Sequence, residues 1–172
     1  MNVHTFTLIL SGPVDERIDD LFEAGCDDAT FGEIDGVAYA DFDREADSFI
    51  EAVVSAIRAI SSVPGLRVRR LEPDDLVTAA DIAQRLGRTR ESVRLLVSGE
   101  RGDGGFPAPV SHTQRRNRIW RWSDVVAWAN PDDAHAIAMA RLVAAINAKL
   151  DLKALEPGLP EPERKALAAV AA

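Results

Sequence analysis

Alternating apolar and polar positions open the chain. Residues 5–10, TFTLIL, alternate and carry β-branched side chains, which predicts a strand. Ser11-Gly12-Pro13 turns it, and Pro13 suits a first helical turn. Val14, Ile18, Leu21 and Phe22 recur at helical spacing, predicting a helix that Gly25 ends. Two strand-like runs, 29–34 and 37–42, flank Asp35-Gly36, the strongest short hairpin signal in the chain. A second helix is predicted over 46–61, with Phe49, Val53, Ala56, Ile57 and Ile60 as its apolar stripe. After Pro64-Gly65, residues 66–71 alternate again and close the segment with a strand.

The order strand, helix, strand, strand, helix, strand predicts an α+β, ferredoxin-like βαββαβ sandwich over residues 1–74. Right-handed crossovers would put both helices on one face of its sheet. Many functions share that arrangement, so it assigns none. Carboxylates at 15, 16, 19, 20, 23, 27 and 28 crowd the first helix and the turn after it. They read either as a solvated helix face, as an acidic surface for a basic protein partner, or as a divalent-ion site.

Residues 77–98, VTAADIAQRLGRTRESVRLLVS, have helical periodicity interrupted once. Thr78 with Asp81 three positions on has the form of a capping box. Ile82, Ala83 and Leu86 make an inward stripe; Gly87 breaks the helix and Thr89 caps the next one, whose buried face is Val93, Leu96 and Val97. Two short helices about a glycine turn predict a helix-turn-helix. The run Thr78, Asp81-Ile82-Ala83, Leu86-Gly87, Thr89, Val93-Arg94, continued by Phe106-Pro107-Ala108-Pro109-Val110, Trp120 and the stretch Trp122 to Trp128, resembles the MerR and AlpA/excisionase type of winged helix-turn-helix. The resemblance covers about 54 residues, in a unit bounded at 75–130. It implies sequence-selective binding of double-stranded DNA, usually as a dimer or a repeated array.

The residue types fit that chemistry. A helix fits the major groove, where base edges carry a donor and acceptor code. Arg90 suits guanine or phosphate because its fork is bidentate. Thr89, Ser92 and the helix N-terminus suit phosphate oxygens or a base edge. Arg94 is expected along the groove wall, and Thr78 and Arg88 are counted among the expected DNA-binding residues. The segment SHTQRRNRIWRW, 111–122, brings Gln114, Arg115, Arg116, Asn117, Arg118 and Arg121 into an expected basic hairpin, or wing, suited to backbone and minor groove. Trp120, Trp122 and Trp128 read as core. The glycines of 99–106 lack the Gly-Lys-Ser/Thr ending of a phosphate loop.

Beyond Asn130-Pro131, Met139, Leu142, Val143, Ile146 and Leu150 recur at 3 and 4 residues, predicting a C-terminal helix over 131–155. This stripe either packs on the preceding domain or forms a dimer seam. Pro157, Pro160 and Pro162 mark 156–172 as a tail.

Charge separates the modules. The chain of 172 residues carries −8. Residues 1–76 hold net −11, residues 77–130 net +4 and residues 131–172 net −1. A basic middle beside an acidic front suggests different partners for the two. No run of 18 apolar residues suggests a membrane span, and the first residues lack the basic region of a secretory leader. Cys26 is the single cysteine, which excludes an internal disulfide and fits a reducing cytoplasm. His4, His112 and His135 are too scattered for metal-ligand spacing, and no cofactor or catalytic arrangement is read. Lysine is absent before Lys149, a bias that suggests a GC-rich bacterial genome.

Three functions are consistent with these features. The first is a cytoplasmic DNA-binding transcription regulator, read as a dimeric repressor. The second is an antitoxin-like protein whose acidic module holds a protein partner. The third is an excisionase-like recombination factor. An enzyme is not expected.

Overall fold

The structure is a computed structural model that describes residues 1–102, 104–111 and 118–171. It is a mixed α+β chain with an antiparallel sheet. It divides into two compact units, Met1–Glu72 together with Ile146–Ala172, and Pro73–Ala145.

In the first unit β1 (Asn2–Ser11), α1 (Ile18–Glu23), β2 (Ala29–Ile34), β3 (Val37–Ala46), α2 (Phe49–Ser62) and β4 (Arg67–Glu72) follow in sequence. The sheet order is β2-β3-β1-β4, antiparallel throughout. The β2–β3 turn has positive φ at both Asp35 (51°) and Gly36 (79°). That is the turn whose twist matches paired strands, and Asn, Asp and Gly reach it at least cost. Phe6, Leu8 and Leu10 of β1 alternate into the core with Ala40 and Phe42 of β3, under Ala52, Val53, Ala56 and Ile60 of α2. The other face carries Thr5 and Thr7, whose hydroxyls donate to Asp43 and Asp41 on β3 at 2.7 and 2.6 Å.

Two elements differ from the pattern-based expectation. A 3-10 turn at Asp15–Arg17 precedes α1 and changes the helical phase, because its repeat is three residues rather than 3.6. Val14 and Leu21 stay buried, whereas Phe22 is 65% exposed and Ile18 also faces water. Strand β3 runs to Ala46, four residues beyond the expected end, and α2 starts at Phe49 behind its cap Ser48. The charges at 41, 43 and 45 are accepted because they lie on the uncovered face.

Arg44 lies among them on the buried face. Its guanidinium grips Asp28 with two bonds of 2.7 Å, and also donates to the Gly25 carbonyl and to Ser55 Oγ. One side chain thereby ties the post-α1 turn and α2 to the sheet. Nearby Cys26 is buried, and that burial pushes its thiol up, opposed by Arg44.

Helix α6 (Ala134–Leu155) supplies its residues from 146 onward to this unit. Among the described residues, edge strand β4 has no strand partner on its outer side. Asn147, 2% exposed, takes that place: its Oδ1 accepts the Leu71 N–H at 2.8 Å and its Nδ2 donates to the Leu71 carbonyl at 3.0 Å. The amide acts as a one-residue strand and satisfies an edge that would otherwise be a pairing hazard. Arg70 reaches Asp151 at 3.2 Å beside it. Residues 156–171 form a 3-10 turn, α7 (Glu161–Ala168) and a final 3-10 turn, with no buried residue in α7.

Asn147→Ala leaves a buried N–H and C=O unpaired, and should cost about 2–3 kcal/mol. The readouts are the urea midpoint and hydrogen exchange at the Leu71 amide. An exchange rate unchanged against the rest of the sheet would contradict this role.

Candidate nucleic-acid interface

The second unit contains β5 (Leu76–Val77), α3 (Ala79–Arg85), α4 (Arg90–Ser98), β6 (Trp120–Arg121), α5 (Trp122–Ala129) and the first part of α6. Its core is Val77, Ile82, Ala83, Val93, Trp120 and Val125, with Leu86, Val97, Phe106 and Trp122 packed against it. The helix faces predicted from periodicity are therefore the buried ones.

Both helix starts are capped as the residue types require. Thr78 Oγ1 accepts the Asp81 N–H at 3.3 Å, and the Asp81 carboxylate accepts the Thr78 amide at 2.8 Å and its hydroxyl at 2.7 Å. Those bonds hold the Asp81 carboxyl below the usual carboxylate range. Between the helices Gly87 sits at φ 62°, a left-handed conformation that closes α3 and that a side chain would strain. Thr89 then caps α4 by accepting the Ser92 N–H at 3.1 Å.

A buried carboxylate holds the rest together. Asp75 is 2% exposed. Its Oδ1 accepts the Ser123 N–H at 3.0 Å, its Oδ2 accepts Arg121 Nη1 at 2.9 Å, and its backbone carbonyl accepts the Trp122 N–H at 2.6 Å. Ser123 lies in the first turn of α5, where amides have no helical partner and the dipole favours an anion. Asp75 thus caps α5 from a distant part of the chain and fixes the β5–β6 pair, Leu76 with Arg121 and Val77 with Trp120.

The segment between α4 and β6 is anchored at its described ends. Trp120 Nε1 donates to the Pro107 carbonyl and Trp128 Nε1 to the Gly104 carbonyl, each at 3.1 Å. Phe106 meets Trp128 edge-on at 4.9 Å. Val110 N–H donates to the Ile119 carbonyl at 2.8 Å, so the two ends of the arginine-rich stretch lie together. Of the three tryptophans expected in the core, Trp120 is buried there, whereas Trp122 and Trp128 are half-buried at its margin.

The residues expected to meet DNA fall into separate groups. Arg88 and Arg90 are exposed at the turn and at the start of α4, and neither makes an ion pair with a described residue. Ser92 is half-buried one turn on. Thr78 and Thr89 are occupied as caps. Arg94 folds back on Glu91, with three contacts of 2.8 to 3.1 Å, and Glu100 lies 3.7 Å away. That contact lowers the Glu91 carboxyl below its usual range. Arg121 serves Asp75, and Arg118 is half-buried beside Ile119. Gln114, Arg115, Arg116 and Asn117 lie outside the described residues. Sequence reasoning passed over Asp75, and also Arg85, whose guanidinium stacks 5.1 Å from the Trp122 ring centre.

Comparison with protein families, with characterised proteins and with solved structures finds no match for this chain. Among the described residues no His, Cys, Asp and Glu cluster could hold a metal ion, and no helix is long and apolar enough to cross a membrane.

Two outcomes test this framework. Asp75→Ala strands Arg121 and an α5 amide, and should destabilise the protein by about 2–3 kcal/mol, somewhat under a fully buried pair because Arg121 is half in water. Thermal melting measures it; an unchanged midpoint would contradict the role. Thr78→Ala should cost about 1 kcal/mol at neutral pH. The Asp81 carboxyl is depressed in the fold, so its contribution is present above its unfolded value near about 3.9 and is lost as pH falls through the folded value. The gap between variant and wild type should therefore narrow in urea titrations at acid pH.

Proposed function

We propose that residues 75–130 form a winged helix-turn-helix that binds double-stranded DNA with α4 in the major groove, and that the chain is a transcription regulator acting as a repressor. The observation that carries this reading is the pairing of α4's two faces. Val93 and Leu96 are buried, while Arg88 and Arg90 at its start are exposed cations without an ion-pair partner among the described residues. The capped N-terminus of α4 adds positive potential at the same end. The β5–β6 pair and the closure at Val110 and Ile119 support the arginine-rich stretch as the wing. The strand order β2-β3-β1-β4 with interleaved helices supports a ferredoxin-like front domain.

The base-reading role falls to Arg90, with Arg88 and Ser92 beside it and Thr89 shaping the helix start. A dimer fits this function, since a single +4 module offers few phosphate contacts and operators are commonly two-fold. A second reading, the antitoxin-like one, is favoured by one observation. The uncovered sheet face of the first unit carries exposed Asp41, Asp43 and Glu45, which would suit a basic protein partner.

Footprinting on the gene's own upstream region distinguishes the roles. A repressor protects one inverted repeat with half-sites about one helical turn apart, whereas a recombination factor protects several direct repeats. Arg90→Ala should cost about 1–3 kcal/mol on the specific site and relax its selectivity. Arg118→Ala should weaken all duplexes alike and flatten the salt slope by about one unit. Arg121→Ala should lower stability more than selectivity. Failure of the purified chain to bind any duplex at low salt removes this function.

A further inference from the structure

We propose that the groove between β4 and the C-terminal part of α6 is a binding site for a small organic anion with an apolar body, an amphipathic monocarboxylate. The groove has a volume of about 430 Å³, inside the range of roughly 300–1,000 Å³ common to small-molecule sites. All the residues lining it belong to the first unit.

Its composition runs against the unit that contains it. Leu66, Val68 and Leu150 give an apolar wall, and Arg67, Arg69 and Lys153 are its charged residues. No acidic residue lines it, although residues 1–76 carry net −11. None of the three cations makes a salt bridge to a described residue. The carboxylate adjacent in α6, Asp151, is already held by Arg70 at 3.2 Å. Three like charges line one groove, and a bound anion would give them the counter-charge that no described residue supplies. At the range of such a contact the distributed acidic charge of the unit is screened, since the Debye length is about 8 Å at physiological ionic strength.

The apolar wall selects the ligand class. A polyphosphate would satisfy the cations and leave the exposed apolar lining at Ala154 and Pro157 against water. A carboxylate on an alkyl chain satisfies both, because each methylene it brings out of water adds to its affinity. The groove lies wholly within the first unit, so the site stands or falls independently of DNA binding.

Calorimetric titration of the full chain with decanoate, kept below its micelle concentration, tests this, with decanol as the uncharged counterpart. The expected result is a single saturable event for decanoate and binding of decanol weaker by about tenfold or more. The double variant Arg69→Glu with Lys153→Glu, both at exposed positions, should weaken decanoate by about tenfold or more with its circular dichroism unchanged. Ala154→Trp, also at an exposed lining position, fills the groove and should abolish binding, so a poorly folding double variant leaves a second route to the answer. Non-saturable decanoate, decanol binding as well as decanoate, or undiminished binding by the groove-filling variant each overturns the proposal.

Discussion

The second unit depends on one buried carboxylate. Asp75 is removed from water, and an anion in that position is stable only if its lone pairs are met. Three groups from one short stretch meet it: the Arg121 guanidinium, the Ser123 amide and, through the backbone carbonyl, the Trp122 amide. The strand before the two short helices is thereby locked to the strand after them. Ile82, Val93, Trp120 and Val125 can then close over one another. A unit of this size has little apolar surface to bury, so fixing its two ends in one geometry matters as much as its packing.

The first unit solves a parallel problem twice with polar side chains. Arg44 joins turn, helix and sheet through Asp28, Gly25 and Ser55, and Asn147 supplies a strand's hydrogen bonds to Leu71. Each places a polar group where a hydrophobic one would pack without specifying register. The helix that donates Asn147 carries Ile146 and Leu150 beside it, both buried. Apolar burial supplies the attraction, and the amide sets which residue of the edge strand is matched.

Local signals in the sequence were legible; distant partners were not. Asp35-Gly36, Gly87, and the Thr78 and Thr89 caps each rest on a conformational requirement contained within four residues, so the pattern suffices to find them. Asp75 meets partners 46 and 48 residues away, and Asn147 one 76 residues away. Asp75 stands in an acidic run beside Asp74, and Asn147 interrupts an apolar stripe, so neither is marked as structural. Phe22 misled for a different reason: helical spacing carried from Val14 assumes an unbroken α-helix, and the 3-10 turn at Asp15–Arg17 breaks it. At the candidate interface the exposed start of α4 was legible from capping and charge. The pairing of Arg94 with Glu91 could be suspected from their spacing of three, while that of Arg121 with Asp75 could not.

Counting cations therefore overstates what the second unit would offer to a duplex under the proposed reading. Arg85 stacks on Trp122, Arg94 is held by Glu91, and Arg121 is held by Asp75. An arginine already engaged must give up its partner before it meets phosphate, which reduces the net gain. Arg121 would moreover leave a buried carboxylate behind, at a cost no single phosphate contact offsets. Arg88 and Arg90 face no such exchange, because they are exposed and form no ion pair with a described residue. The division between arginines engaged within the unit and those exposed without an ion pair among the described residues is thus set by Asp75, Glu91, Glu100 and the Trp122 ring rather than by the net charge of the segment.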